Sequence, residues 1–370
     1  MVTEHDNAHL EIEDLFVLLQ HTDAEVRQKA VHSLGKLHTS ALTSEIMDRL
    51  LGLVADKKTF VRFHVVVALV HLKGTPLLPA LLDRLLVLTY DKRKIARATA
   101  VSVLAELGEV TATPEMTTRL WELTTDEEKE VRAEAITALR RSNTLTSSPE
   151  IVERLLLLVD DKDRWVGAVA LEAVTDLGHA AVTPPLIERM FALLSDSQVS
   201  LRLTATRAFG KLATAVATPA VIERLVALTG DTGRGVRHAA AMALGKLGQH
   251  AATPEVIRKL LDLFTDKNPD VRSFSSEALR SMGDATVFPI ARERLLGLME
   301  NRSKAIRFMA ARLLRELDES GVFSARLREF WEPYLGIPTF VLLDSFTEEY
   351  WPIGGLAEEE LRLLAEKPSA

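Results

Sequence analysis

A proline recurs every 35 residues along most of this 370-residue chain: Pro79, Pro114, Pro149, Pro184, Pro219, Pro254 and Pro289. Seven recurrences without a slipped residue define stacked copies of one unit, so a repeat array is the first constraint on the fold. The same ruler laid from Val26 lands on Val61, Ala96, Val131, Val166, Leu201, Val236, Val271 and Ile306. Four residues past this anchor stand small residues such as Ala30, Ala100, Ala135, Ala170, Ala205, Ala240 and Ala310. Eight past it stand Leu34, Leu69, Leu104, Leu139, Val174, Phe209, Leu244, Leu279 and Leu314. Apolar or small residues at offsets 0, 4, 7, 8 and 11 fall on one face of a helix of period 3.6. Nine copies are visible, the first incomplete at its front.

Each copy holds a second helix, and the proline is expected to start it. Ser or Thr precedes that proline in Thr113-Pro114, Ser148-Pro149, Thr183-Pro184, Thr218-Pro219 and Thr253-Pro254. The hydroxyl accepts one orphan N–H at the helix start, and proline at the first helical position has no N–H to leave unsatisfied. An acidic residue stands five before the anchors from Val61 to Val271: Asp56, Asp91, Asp126, Asp161, Asp196, Asp231 and Asp266, with Asn301 in the last copy. A tight turn must reverse the chain there. The unit therefore reads as helix A, short turn, helix B and a longer link.

A turn aspartate, a Val-Arg pair five residues on, then alanine and Leu-Gly at helical spacing resembles the HEAT-repeat family. Asp231 with Val236-Arg237, Ala240 and Leu244-Gly245 is the clearest copy, and Asp266 with Val271-Arg272 is another. The resemblance covers roughly residues 10–320. It implies an all-α solenoid of about nine 35-residue hairpins, wound as a right-handed superhelix with the B helices on its concave side. It also implies a stacked Asp–Arg ladder between neighbouring copies, and work as a scaffold or adaptor. Gly167 replaces the ladder arginine in copy five, and Ser142 stands beside Arg140-Arg141 in copy four.

Two domains are expected: the repeat solenoid over 1–320 and an acidic, aromatic-rich cap or docking segment over 321–370. Eight of the twenty aromatic residues fall in that last segment, as do four basic and nine acidic residues. Its balance of −5 leaves the array with only −2 of the chain's −7. Such an array lacks the basic excess of a dedicated nucleic-acid binder. A last repeat must cover its apolar face, so a cap is the structural expectation. Ala325–Trp331 reads as a further helix. Pro333, Pro338 and Pro352 break the stretch beyond it into short pieces, and Leu356–Glu366 reads as a closing helix. The competing expectation is that Asp344–Trp351 recruits a partner through Phe346, Tyr350 and Trp351.

On helix B, offsets 2, 3, 6 and 10 point away from the core stripe. Copy two places Phe63, His64, Val67 and His71 there, beside Lys29 and His32 of copy one. Apolar residues framed by charge mark these six as the candidate protein-binding surface. Phe308 and Met309 of copy nine are instead expected to lie under the cap. The recurring arginines are expected to serve the ladder, because the planar guanidinium fork suits a carboxylate. Lysines in the A–B turns, such as Lys57-Lys58 and Lys92-Arg93-Lys94, form a candidate basic ridge for nucleic acid, interrupted by Asp126-Glu127-Glu128.

Catalytic signals are nearly absent. There is no glycine-rich phosphate loop, no H-E-x-x-H pair, no His-Glu dipeptide and no cysteine. No cofactor and no metal are expected. No apolar leader or bilayer-length stretch is present, which gives the expectation of a cytoplasmic protein that does not enter membranes. The function expected is a non-catalytic protein-interaction scaffold. The alternatives are a HEAT-type lyase or enzyme subunit of the phycobilin-lyase kind and, behind it, nucleic-acid binding along the turn ridge.

Overall fold

The computed structural model describes residues 12–38, 41–318, 321–336, 340–344 and 349–365. It divides into two compact bodies, Met1–Leu177 and Gly178–Ala370. In the first, the A helices are α1 (12–18), α3 (Ser44–Leu51), α5 (Leu78–Leu88), α7 (Pro114–Leu123) and α9 (Pro149–Val159). Its B helices are α2 (Ala24–Gly35), α4 (Thr59–Val70), α6 (Lys94–Leu107), α8 (Lys129–Arg141) and α10 (Arg164–Asp176). The second body repeats the pattern with α11 (Pro184–Leu194), α13 (Pro219–Leu228), α15 (Pro254–Asp262) and α17 (Asp284–Leu298) as A helices. Its B helices are α12 (Val199–Leu212), α14 (Arg234–Leu247), α16 (Pro269–Ser281) and α18 (Lys304–Leu317). Within each body A packs on B inside a hairpin, and each B helix packs on the next. The chain is an all-α solenoid.

The periodic stripe is the core. Val61, Val65 and Leu69 are fully buried, as are Ala96, Ala100 and Leu104, and then Val131, Ala135 and Leu139. Each buried Val or Leu contributes about 1.5–3 kcal/mol, and the alanines between them let neighbouring B helices approach. The hydroxyl caps form as the dipeptides indicate. Thr113 accepts from the Met116 N–H at 3.2 Å, and Thr218 and Thr253 do the same for Val221 and Val256 at 3.3 Å. Pro289 departs from the expectation: α17 starts at Asp284 and runs through it. Phe288 offers no capping hydroxyl there, and Gly283, at φ 90°, supplies an earlier start.

The turn aspartates do two jobs. Each accepts the N–H two residues on, as Asp126 does from Glu128 at 2.9 Å and Asp231 from Gly233 at 2.7 Å, which closes the A–B turn. Each is also open to the arginine of the preceding repeat. Bidentate pairs join Arg27 to Asp56, Arg97 to Asp126, Arg132 to Asp161, Arg202 to Asp231 and Arg237 to Asp266, at 2.6 to 3.0 Å. The same arginines donate a further N–H to the carbonyl at the head of their own turn, as Arg132 does to Asp126 at 2.8 Å. Arg202's fork holds the Asp231 carboxyl below the usual carboxylate range against an upward push from burial. At Asp266 burial pushes hardest, but Arg237 and the Asn268 N–H together still bring the carboxyl down.

The ladder breaks where the local chemistry changes. Gly167 is required because α10 lies so close to the end of α9 that a Cβ would stand 2.5 Å from the Val159 carbonyl oxygen. Arg93 takes the Asp91 carboxylate at 2.8 Å, holding it down at about 2 and leaving Arg62 without that rung. Asn301 replaces the last acid, and the Nε of half-buried Arg272 has no hydrogen-bond partner. Asn301→Asp is expected to supply that partner while keeping the turn bond to the Ser303 N–H, which Asn301 Oδ1 now accepts. The gain is about 1 kcal/mol, the worth of a hydrogen bond restored to a buried donor, read as a higher urea midpoint.

A second position in the repeat demands an unusual backbone. Gly108, Asn143, Gly178, Gly248 and Gly283 stand on the 35-residue ruler and all have positive φ. Ala213 occupies the same slot at φ 37° and ψ −111°, a region L-residues avoid. Ala213→Gly is expected to stabilise the protein by about 1 kcal/mol, because relief of local strain exceeds the added freedom of the unfolded chain. A thermal melt checks the direction.

The C-terminal segment follows the sequence only in part. Helix α19 (Ser324–Trp331) and helix α20 (Ile353–Ala365) match the two expected there. Between them lies an antiparallel pair not foreseen, β1 (Phe340–Asp344) and β2 (Glu349–Pro352), the only strands among the described residues. β1 packs beside α16 and α18, and α20 packs beside α19. Phe308 is fully buried against Phe330, Trp331 and Tyr334, with ring centroids 4.9 to 6.0 Å apart. Glu360 of α20 is 1% exposed and meets Arg315 at 2.6 Å.

Candidate protein-binding groove

The first body carries a groove of about 660 Å³ on its B-helix side, lined by α4, α6, α8 and the start of α10. Its depth has a sequence cause. Helix α6 contributes Ala98, Thr99 and Ser102, which are small, whereas α4 contributes Phe63, Val66, Val67 and Val70. The floor is therefore low between taller walls. Phe63 is 63% exposed and Trp165, at the far wall, is 46% exposed. Exposed aromatic rings over an apolar trough are the feature that distinguishes a binding patch from scattered surface carbon.

Acidic groups stand on the α8 side. Glu130 and Glu134 line the groove and enter no ion pair among the described residues, whereas Glu106 of α6 is paired with Arg141. Burial pushes the Glu134 carboxyl upward, the Ser102 hydroxyl and Arg141 push it back, and Glu106 adds to the rise. On the α4 side Arg62 donates to the Asp56 carbonyl at 2.7 Å and the Thr59 hydroxyl at 3.0 Å. A second hollow of about 650 Å³ continues toward the A–B turns and shares Arg62, Ala98, Thr99 and Glu130. The basic turn residues there are largely neutralised. Lys94 pairs with Glu128 and Lys129 with Asp163, both at 3.1 Å, and Arg93 pairs with Asp91.

Of the residues expected on this surface, Phe63, Val67 and His71 line the groove. His64, Lys29 and His32 lie beside it on the α2 side. His64 Nδ1–H donates to the Phe60 carbonyl at 2.8 Å, and its ring meets His32 edge-on at 5.6 Å and Phe63 at 5.5 Å. His71 Nδ1–H donates to the Gly35 carbonyl at 2.6 Å, which ties α4 to α2. These histidines hold the wall; no group of three or more potential metal ligands occurs among the described residues. Phe346 lies outside the described residues. Tyr350 and Trp351 sit in β2 opposite Leu342 and Val341, and their side chains lie outside what is described. Trp165, Glu130 and Glu106 were not expected in the site. Trp165 and Glu130 stand one before the anchor, four residues from offset 3, and so on the same helical stripe. Glu106 stands at offset 10, which the face rule already includes.

A family model for HEAT repeats matches residues 12–105, 116–191 and 187–280. The chain belongs to the HEAT-repeat family. No curated protein matches it. Among solved structures it is similar to YIBA of E. coli, at 20% identity and a TM-score of 0.55 over 80% of this chain and 99% of that one. It is also similar to Kap121p bound to Nup53p, at 15% identity and a TM-score of 0.52. That match covers 97% of this chain and 41% of Kap121p. At such identities the likeness concerns the fold. No helix among the described residues is long and apolar enough to cross a membrane.

Proposed function

We propose that this HEAT-repeat protein is a non-catalytic cytoplasmic scaffold that grips a protein partner in the groove across α4, α6 and α8. One observation carries the reading: Phe63 stands exposed over an apolar trough large enough for several side chains. In the second body, by contrast, β1 lies beside α16 and α18, so the chain's own C-terminal segment occupies the equivalent helices. The division of labour proposed is an array over 1–320 and a cap over 321–370. The Kap121p neighbour, solved with Nup53p bound, supports protein binding as a use of this kind of fold.

The test is capture of partners by the full chain, compared with the Phe63→Asp/Val67→Asp variant. Both side chains are exposed, so the variant is expected to keep its melting temperature while losing capture by at least tenfold. Undiminished capture by a folded variant removes the groove from consideration.

A further inference from the structure

We infer that the groove takes a segment of a partner protein in which a lysine or arginine stands about five residues from an apolar cluster. This rests on the docking reading above and adds the partner's chemistry. The groove is polarised along its length. Phe63, Val66 and Val67 of α4 form the apolar end, and Glu130, Glu134 and Trp165 form the other. Most charged residues on the neighbouring turn edge already have partners within the protein, including Lys94 with Glu128 and Lys129 with Asp163. Glu130 and Glu134 have no such paired cation among the described residues.

An occupant that seals the groove removes water from both carboxylates. Burying a carboxylate is strongly unfavourable unless a cation or a full set of hydrogen bonds comes with it. A neutral apolar segment would cover Phe63 and Trp165 but leave Glu130 without a paired cation and Glu134 with only the Ser102 hydroxyl and the more distant Arg141 charge to offset its burial. An acidic segment would add repulsion to that cost. A basic side chain answers both carboxylates and can lay its charge or its carbon stem over the exposed Trp165 ring. Burial already pushes the Glu134 carboxyl upward, and an arriving cation pulls against that rise. Arg62, on the α4 wall across the trough, has its fork turned to the Asp56 carbonyl and Thr59.

The spacing comes from helix packing. Adjacent helices lie about 8–10 Å apart, so α4 to α8 spans roughly 16–20 Å. An extended chain rises about 3.3 Å per residue and crosses that span in about five to six residues.

The experiment is selection of a phage-displayed random dodecapeptide library on the immobilised full chain, with Phe63→Asp/Val67→Asp protein selected in parallel. Sequences enriched on the wild type alone and carrying Lys or Arg about five residues from apolar positions are expected. The best such synthetic peptide should bind at least tenfold more weakly to Glu130→Gln/Glu134→Gln protein, and at least tenfold more weakly when its basic residue is Gln. Enriched peptides that need Phe63 and Val67 but ignore charge overturn this inference and leave groove docking standing. Acidic enrichment, or no enrichment on the wild type, overturns it as well. Equal enrichment on both proteins overturns the docking reading itself.

Discussion

Replacing Glu360 by alanine is expected to cost about 3–5 kcal/mol in the second body, the range for removing one member of a buried ion pair. Glu360 sits on α20 and is almost wholly buried, and both of its oxygens face arginines of α18. Arg315 donates from Nε at 2.6 Å, and Arg312 Nε stands 3.2 Å away, near enough for charge pairing but out of line for a hydrogen bond. The alanine variant takes that carboxylate away from a guanidinium that is itself 11% exposed. The buried Leu356, Ala357 and Leu364 and the Arg328 bond to the Leu364 carbonyl, at 3.2 Å, remain to hold α20, now against the cost of the charge that has lost Glu360. Limited proteolysis should then cut within 321–370 well before the repeats, and the urea midpoint should fall. Glu360→Gln keeps the shape and one acceptor, and is expected to lose less. If alanine and wild type resist protease equally, α20 is not held by this cluster.

Arg132→Ala is expected to cost the first body about 3 kcal/mol, the lower end of the range for a buried pair that loses one partner. Its side chain is 4% exposed and that of its partner Asp161 is 9% exposed, the most enclosed rung of the ladder. Truncation leaves the Asp161 carboxylate with the Asp163 N–H at 2.7 Å and no cation, and frees the carbonyls of Asp126 and Glu127. In a stacked array each repeat touches only its neighbours, so the loss falls on the coupling of repeats four and five. The double change Arg132→Met/Asp161→Leu should recover much of it, because no charge is then left unpaired. Urea titrations of the three proteins give the comparison. A double variant no more stable than Arg132→Ala would contradict the ladder's assigned role.

The repeat architecture was legible because it is periodic. Val61, Val131 and Val236 are buried by the same stripe in each copy, and Thr113, Thr218 and Thr253 cap by the same local geometry. Such features depend on neighbours a few residues away. Pro289 misled because no capping hydroxyl precedes it and α17 starts earlier, after Gly283, so the proline falls inside the helix at the cost of one backbone hydrogen bond. The β1–β2 pair was illegible because its two short strands are held by each other, by α16 and α18 on the β1 side and by α20 on the β2 side, rather than by their own pattern. The groove was half legible. Phe63 and Val67 could be read from their offset, but the trough beneath them exists only because Ala98 and Ser102 are small in the next repeat. The exposed Trp165 further along the array completes it. A single repeat shows none of this. The arginine gaps had a cause of the same kind: Gly167 answers to the Val159 carbonyl, which lies in another helix.

Site-directed photocrosslinking puts groove docking to its sharpest trial. A benzophenone amino acid is placed at Phe63, in the groove, and separately at Leu157, an A-helix position of the same body that is 67% exposed. If partners dock in the groove, a protein in cell extract is crosslinked from position 63 and not from 157. Crosslinking from 157 with none from 63 would contradict groove docking.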